Sequence, residues 1–223
     1  MHVLVLDTAL DACQAVVGSA AGVAAHERLV PSTGQSEAIV ALADRALDAA
    51  GLSYSDLSRI GVVVGPGSFT GLRVGVAAAR ALSLVIGCPV VGISSLVALA
   101  ASVPACAGGP SVAAIDARHA AVYAQRFGAG IVAAGEPAHV AIETLAAELP
   151  AGVALAGSGA APVAEAMANA GRAPGAVDPI GAPDAAALVR LTLSATPPFA
   201  PARSAYLKAP DAKPAASLVG ARR

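Results

Sequence analysis

Charge is scarce in this chain: Asp, Glu, Lys and Arg together make up 13% of its 223 residues. That excludes a disordered chain, which needs much charge and little apolar content to stay unfolded. Fifteen acids against fourteen bases leave a net charge of −1, so the molecule has no general basic surface for nucleic acid. Only three cysteines are present (Cys13, Cys88, Cys106), far apart and without a C-x-x-C pair, which argues against a disulfide framework or a zinc knuckle. The four histidines (His2, His26, His119, His139) form no pair at helical metal-ligand spacing, so no metal is expected. No lysine occurs before Lys208, and G-x-x-x-x-G-K-S/T is missing.

Long uninterrupted apolar runs are missing too, although mean hydropathy is +0.69. The stretch between Arg80 and Asp116 carries no charge, but Gly87, Pro89, Gly92, Pro104 and Gly108-Gly109-Pro110 divide it. Its longest piece free of Gly and Pro, Ile93–Val103, falls short of the roughly 20 residues that cross a bilayer. Met1-His2-Val3 lacks the basic start of a signal peptide. A soluble, cytoplasmic protein without membrane association is the expectation.

What is present is alanine, 59 residues of it, and enough chain for one large domain or two small ones. Val3–Leu6, Cys13–Gly18 and Gly22–Leu29 read as three strands of an antiparallel meander. A helix follows with Ser32 or Thr33 as cap, Ile39, Leu42, Ala43, Ala46, Leu47 and Ala50 on one face, and Gly51 as its stop. Ile60–Val64 is apolar without alternation, as in a strand buried on both faces. Then come a helix at about Leu72–Ile86, a strand at Val90-Val91 and a third helix capped by Ser94 or Ser95. This β-β-β-α-β-α-β-α order is the half-unit of ribonuclease-H-like and actin-like ATPase architectures. The fold class is therefore α/β, with a first lobe at about 1–105.

After Gly108-Gly109-Pro110 the order partly restarts. Strands are expected at Val112–Ile115, Ala121–Phe127, Ile131–Ala134 and Gly152–Ala156, and helices at Ile142–Leu149, about Ala160–Ala170 and Asp184–Leu193. Residues 106–195 thus read as a second, degenerate and shortened lobe. Residues 196–223 form an extended Pro-rich tail of net charge +4, against −5 for the rest.

Three places could carry chemistry. Gly65-Pro66-Gly67-Ser68-Phe69-Thr70-Gly71, between a buried strand and a helix, could present backbone N–H groups to an anion or nucleotide, with Gly67, Ser68, Thr70 and Arg73 as contacts. The simpler reading is a tight connection whose glycines supply special dihedrals and whose hydroxyls cap the helix. Asp7-Thr8 sits where actin-like ATPases carry a first phosphate loop, but Asp7–Ala12 has no glycine, so a structural Asp7 is preferred. Asp116 and Arg118 share a face in extended chain and could clamp a ligand or pair with each other, a salt bridge at a hairpin end being the preferred reading. No G-x-S-x-G occurs, and Gly157-Ser158-Gly159 is a loop signal.

The helix ending at Ile86 is apolar nearly all round. Leu72, Val76, Ala79 and Ile86 form one stripe, and Val74, Ala77, Ala78, Ala81, Leu84 and Val85 another. A sheet covers only one of them, so the second, extended by Val40 and Ala41, needs a partner.

Leu4-Val5-Leu6-Asp7-Thr8, Gly34-Gln35-Ser36-Glu37, the run Gly65 to Gly75, Val91-Gly92-Ile93-Ser94-Ser95-Leu96, Ile115-Asp116-Ala117-Arg118 and Tyr206-Leu207 together resemble the bacterial TsaB (YeaZ) family across essentially the whole chain. The resemblance implies an actin-like (ASKHA) fold of two ribonuclease-H-like lobes with mixed sheets. It also implies a non-catalytic subunit, without cofactor or metal of its own, that binds a TsaD-like catalytic subunit and helps recruit a TsaE-like ATPase. That complex transfers a threonylcarbamoyl group to the adenosine beside the anticodon of ANN-decoding tRNAs, so tRNA is met only through the complex. The family's association mode places the partner on helices at about 34–50 and 72–86, with Val40, Val74, Ala77, Ala81 and Leu84 as contacts. TsaD-like relatives carry H-x-x-x-H where this chain has Ser95 and Leu99, which removes the metal a glycoprotease-like peptidase would need. The chain departs from the family's usual pattern at Ala9 (often Ser), Gln35 (often His) and Ala120-Ala121 (commonly Gly-Glu). Two alternatives remain: a residual nucleotide hydrolase or peptidase using Asp7, Thr70 and Arg73, and a self-associating homodimer.

Overall fold

A computed structural model describes residues 1–30 and 38–207. The cap candidates Ser32 and Thr33, the Gly34–Glu37 motif and the tail beyond Leu207 lie outside the described residues.

Strands β1 (His2–Asp7), β2 (Cys13–Ser19) and β3 (Gly22–Leu29) form the antiparallel meander expected of them. Helix α1 (Ile39–Ala50) ends at Gly51, whose φ of 64° is the left-handed stop anticipated for it. Strand β4 (Leu57–Gly65) lies parallel to β1, helix α2 (Phe69–Ile86) follows, and β5 (Val90–Ser94) lies parallel to β4. The sheet order is β3-β2-β1-β4-β5. Val3, Leu4, Val5 and Leu6 are all fully buried, because central β1 is covered on both faces and so has no reason to alternate. The α2 helix starts three residues before the sequence expectation, since Ser68 rather than a later residue accepts the Gly71 N–H as its cap.

Helices α3 (Ser95–Ser102) and α4 (Pro104–Ala107) lead to the second sheet. Its strands are β6 (Ser111–Asp116), β7 (Ala121–Gly128), β8 (Val132–Ala133), β9 (Ala138–Ala141), β10 (Ala154–Ala156) and β11 (Val177–Asp178), in the order β11-β10-β6-β7-β8 with β9 also on β7. Helices α5 (Ile142–Glu148), α6 (Ala160–Asn169) and α7 (Ala185–Ser194) complete it. Reversed, that order is β8-β7-β6-β10-β11: a meander followed by two parallel strands, as in the first lobe. The helices correspond as well, α5 to α1 and α6 to α2, with α5 at 7 residues against 12 and α6 at 10 against 18. The fold is actin-like: two ribonuclease-H-like lobes with mixed sheets, the second shortened.

The third helices exchange sides. In chain order α7 follows the second sheet, yet Leu188 and Val189 pack with Val3, Val5, Val16 and Val63 of the first. Likewise Leu96 and Leu99 of α3 pack with Ala113, Ile115 and Phe127 of the second. Both helices fill the layer between the lobes, which leaves α1 and α2 on the outer face of the first sheet with Leu4, Leu6, Ile60 and Val62 beneath them.

Candidate functional site

The glycine-rich turn is occupied by the protein's own backbone. The Ser68 N–H donates to Ala9 O at 2.7 Å, and Thr8 Oγ1 donates to Gly71 O at 2.6 Å. A Cβ at Gly67 would stand 2.2 Å from Ala9 O, and one at Gly71 would be nearer still to Thr8 O. The glycines therefore admit the β1–β2 loop against the start of α2, and three N–H groups of the turn are engaged within the protein: Ser68 with Ala9, Gly71 with the Ser68 side chain, Leu72 with Ser68 O.

The residues named for anion contact divide into three groups. Thr8, Gly67 and Ser68 come together in that contact. Asp7, on the opposite side of the strand from Thr8, is fully buried, accepting from Ala9 N at 2.9 Å and from Gln14 Nε2 at 3.0 Å. Gln14 also donates to Pro183 O and pairs through Oε1 with His26 Nε2 at 2.9 Å. Burial raises the Asp7 carboxyl above its ordinary range, opposed by the Ala9 N–H, Gln14 and Arg28. Burial also lowers His26, with Arg28 adding to it. Thr70 and Arg73 face solvent on α2. The Arg73 guanidinium lies 3.8 Å from the Phe69 ring centre, its Nε donates to Tyr206 Oη at 3.3 Å, and the Phe69 and Tyr206 rings are 5.1 Å apart.

Around the second lobe's hairpin, Arg118, His119 and Ala120 all have positive φ (63°, 52° and 55°). Asp116 meets Arg118 through its backbone, Oδ1 accepting the Arg118 N–H at 2.8 Å, instead of the side-chain salt bridge expected. The positive φ at Arg118 takes the pair out of extended chain, and with it the shared face. Leu99 is a core residue, and the buried Ser95 hydroxyl has no hydrogen-bond partner among the described residues. No three His, Cys, Asp or Glu side chains cluster as metal ligands among the described residues. All three cysteines are buried, and desolvation together with Asp7 pushes the Cys13 thiol up to about 11.

The outer face of α2 is where apolar surface is left uncovered. Leu72, Val76 and Ala79 are seated on the sheet, whereas Leu84 and Val85 are each 86% exposed, Ala77 and Ala81 are exposed on the same helix, and Val40 is exposed on α1. Val74, named with them, is half-buried against the first core. Among the described residues α2 is the one helix long and apolar enough to cross a membrane, with mean hydropathy 1.5 over 18 residues. Most of this helix precedes the uncharged stretch from Arg80 to Asp116 on which the expectation of no membrane association rested, and Gly71 and Gly75 are helical in it.

The described part of the Pro-rich tail borders this face, a placement that its sequence did not indicate. After α7 the chain returns across the first sheet as a strap: Gly92 N donates to Ala200 O at 3.0 Å and Ala205 N to Val64 O at 2.7 Å. Arg59 anchors its start, donating to Ala195 O at 2.8 Å and lying 5.1 Å from the Phe199 ring centre. The strap ends with Tyr206 on Phe69, and between it and α2 lies a groove of about 370 Å³. Its signal in the sequence was the Tyr206-Leu207 pair, isolated in a Pro-rich stretch.

Comparison with known proteins agrees with this architecture. The family model described as TsaD, tRNA N6-adenosine threonylcarbamoyltransferase, matches residues 29–194. An uncharacterized protein of Mycobacterium tuberculosis H37Rv is 36% identical over 226 residues, covering 96% of this chain and 95% of that one. The tRNA threonylcarbamoyladenosine biosynthesis protein TsaB of Escherichia coli K12 is 36% identical over 124 residues, 55% of this chain and 53% of that protein. A solved Pseudomonas aeruginosa structure, described as similar to peptidase YeaZ, superposes with a TM-score of 0.73 at 28% identity, covering 86% of this chain and 89% of that one. With its two matching lobes and the tightly joined Asp7–Ala9 and Gly65–Arg73 segments, the chain belongs to the TsaD family, within its TsaB (YeaZ) group.

Proposed function

We propose that this protein is a non-catalytic scaffold subunit in tRNA threonylcarbamoyladenosine biosynthesis, docking a TsaD-like catalytic subunit on α1 and α2 and helping to recruit a TsaE-like ATPase. The observation that carries the reading is the uncovered stripe of Leu84, Val85, Ala81 and Ala77 on α2, with Val40 exposed on α1. A Leu or Val side chain left in water forgoes roughly 1.5–3 kcal/mol of burial, so two of them adjacent on one helix are better explained by a partner than by solvent. The family membership supports the choice of partner, since a relative carries the biosynthetic name and the matched family model is that of the transferase. The backbone of Thr8 and Ala9, packed against Gly67 and Gly71 in the turn, favours a structural over a nucleotide-hydrolysing role. On this reading the protein works in the cytoplasm and meets tRNA only through the complex. The same stripe suits a homodimer when the catalytic subunit is absent.

Sedimentation velocity of the chain mixed with its own organism's TsaD tests this. The wild type forms a heterodimer at the expense of any homodimer. Ala77→Glu, which adds a carboxylate at an exposed position, leaves the monomer folded and abolishes the complex, because a longer, charged side chain replaces a methyl group in an apolar contact whether or not Arg73 or Arg80 pairs with it. Wild-type protein that stays separate from TsaD, or an unaffected Ala77→Glu complex, overturns the docking reading.

A further inference from the structure

The groove between α2 and the strap has walls of opposite character. Leu84, Val90, Pro201 and Ala202 make it apolar, while Arg80 from α2 and Arg203 from the strap both line it. These two guanidiniums have no hydrogen-bond or ion partner among the described residues, whereas Arg59, Arg73 and Arg190 are each held by an acceptor or a ring. Their own described elements offer no acid to neutralise them. No Asp or Glu occurs between Asp56 and Asp116, or between Asp184 and Asp211, so neither α2 nor the described strap carries an acid. Two like charges facing one small groove repel each other, and a carboxylate between them would relieve that repulsion.

The groove is also preformed. The strap hydrogen bonds to Gly92 and Val64 hold one wall, and Pro201 O would be 2.6 Å from a Cβ on Gly92, so it lies close on the sheet. The Ser83 hydroxyl on the other wall donates to Cys88 O at 2.6 Å, so its proton is already committed. An incoming side chain meets a groove whose backbone walls are already set, so the ordering cost falls on the two arginine side chains alone.

We propose that this groove is a carboxylate-accepting pocket within the docking surface: a partner element lays an apolar side chain over Leu84 and Val90 and sets an Asp or Glu between Arg80 and Arg203. The inference rests on the reading of α2 as the docking face, and it selects the kind of partner that face accepts. A second copy of this chain does not satisfy it. An isologous pairing of α2 with α2 sets Arg73 and Arg80 against a helix that carries arginines and no acid. Charge therefore favours an acidic hetero-partner where apolar surface alone would allow either.

The test is the double variant Arg80→Gln, Arg203→Gln, with far-UV circular dichroism as the check of folding. Heterodimer dissociation with the organism's own TsaD is measured by calorimetry at low and high salt, and homodimer dissociation by sedimentation. The expected result is heterodimer affinity weaker by about tenfold at low salt, loss of most of the wild-type salt dependence, and a homodimer no weaker than wild type. Wild-type affinity and an unchanged salt slope in the variant, with Ala77→Glu still abolishing binding, overturn the pocket while leaving the docking face intact. Equal weakening of homodimer and heterodimer also overturns it, by showing that a second copy uses the groove. Failure of the wild type to bind TsaD removes the docking reading and the pocket together.

Discussion

The contact between Thr8 and α2 yields a double-mutant cycle with opposite outcomes at two neighbouring glycines. A Cβ on Gly75 meets Thr8 Oγ1 at 2.4 Å, but the Thr8 Cβ and Cγ2 are at 3.6 and 3.8 Å, ordinary contact distances. The obstacle is one oxygen atom, held in place by its 2.6 Å bond to Gly71 O. On Gly71 the obstacle is backbone, the Thr8 carbonyl, which cannot rotate away. Alanine is worth about 1 kcal/mol over glycine inside a helix. Against that, Gly71→Ala must push α2 off the loop, breaking the Thr8–Gly71 and Ser68–Ala9 bonds at about 1 kcal/mol each and stranding a buried hydroxyl at about 1–3 kcal/mol. The net expectation is a loss of about 2–4 kcal/mol. Gly75→Ala in the wild type loses about 1–2 kcal/mol, because Thr8 must give up its bond or the helix must shift. In a Thr8→Ala background the oxygen is gone, and Gly75→Ala should become stabilising by about 1 kcal/mol, while Gly71→Ala remains harmful. Urea unfolding followed by far-UV circular dichroism suits a chain that has no tryptophan. Gly71→Ala as stable as the wild type, or a Gly75→Ala penalty indifferent to Thr8→Ala, would refute the claim that these glycines exist for close backbone approach.

Two further perturbations follow from the buried and strained positions. Burial raises the Asp7 pKa in the folded state, so the folded protein binds this proton more tightly than the unfolded chain does. Stability from Asp7 is thus fully present below its unfolded pKa of about 3.8 and is lost as pH rises through the raised folded value. The stability of wild type relative to Asp7→Asn should fall across that window, and Gln14→Leu, which removes a donor to the carboxylate, should extend the fall to higher pH. A difference that is flat or rises with pH would contradict the assignment. Ala120 holds a left-handed φ of 55° on an exposed turn, at a cost of roughly 1–2 kcal/mol for a residue with a Cβ. Ala120→Gly should raise stability by about 0.5–1 kcal/mol after the extra freedom of the unfolded chain is subtracted, and a lower thermal midpoint would contradict it.

Local pattern was enough for much of this protein. The unbroken Val3–Leu6 and Ile60–Val64 runs announced buried strands, Gly51 announced the end of α1, and the Leu72, Val76, Ala79 stripe of α2 is seated as its spacing required, although Val74 and Ala78 of the other stripe also pack against the first core. Such features depend on neighbours within a few residues, so they are written in the order of residues alone. Short β9 and β11 were invisible because two to four residues with no apolar alternation become strands only when β7 or β10 offers a pairing edge. Which sheet receives α7 depends on where the second lobe's chain ends in space, and nothing within α7 itself specifies that. The meaning of the glycine-rich turn was decided in the same way. An open turn of that sequence could cradle an anion, and the approach of Thr8 and Ala9, about 60 residues earlier in the chain, fills it instead. Arg80 and Arg203 likewise became a pair only through the return of the strap, because charges 123 residues apart share a groove by tertiary contact and by no local rule.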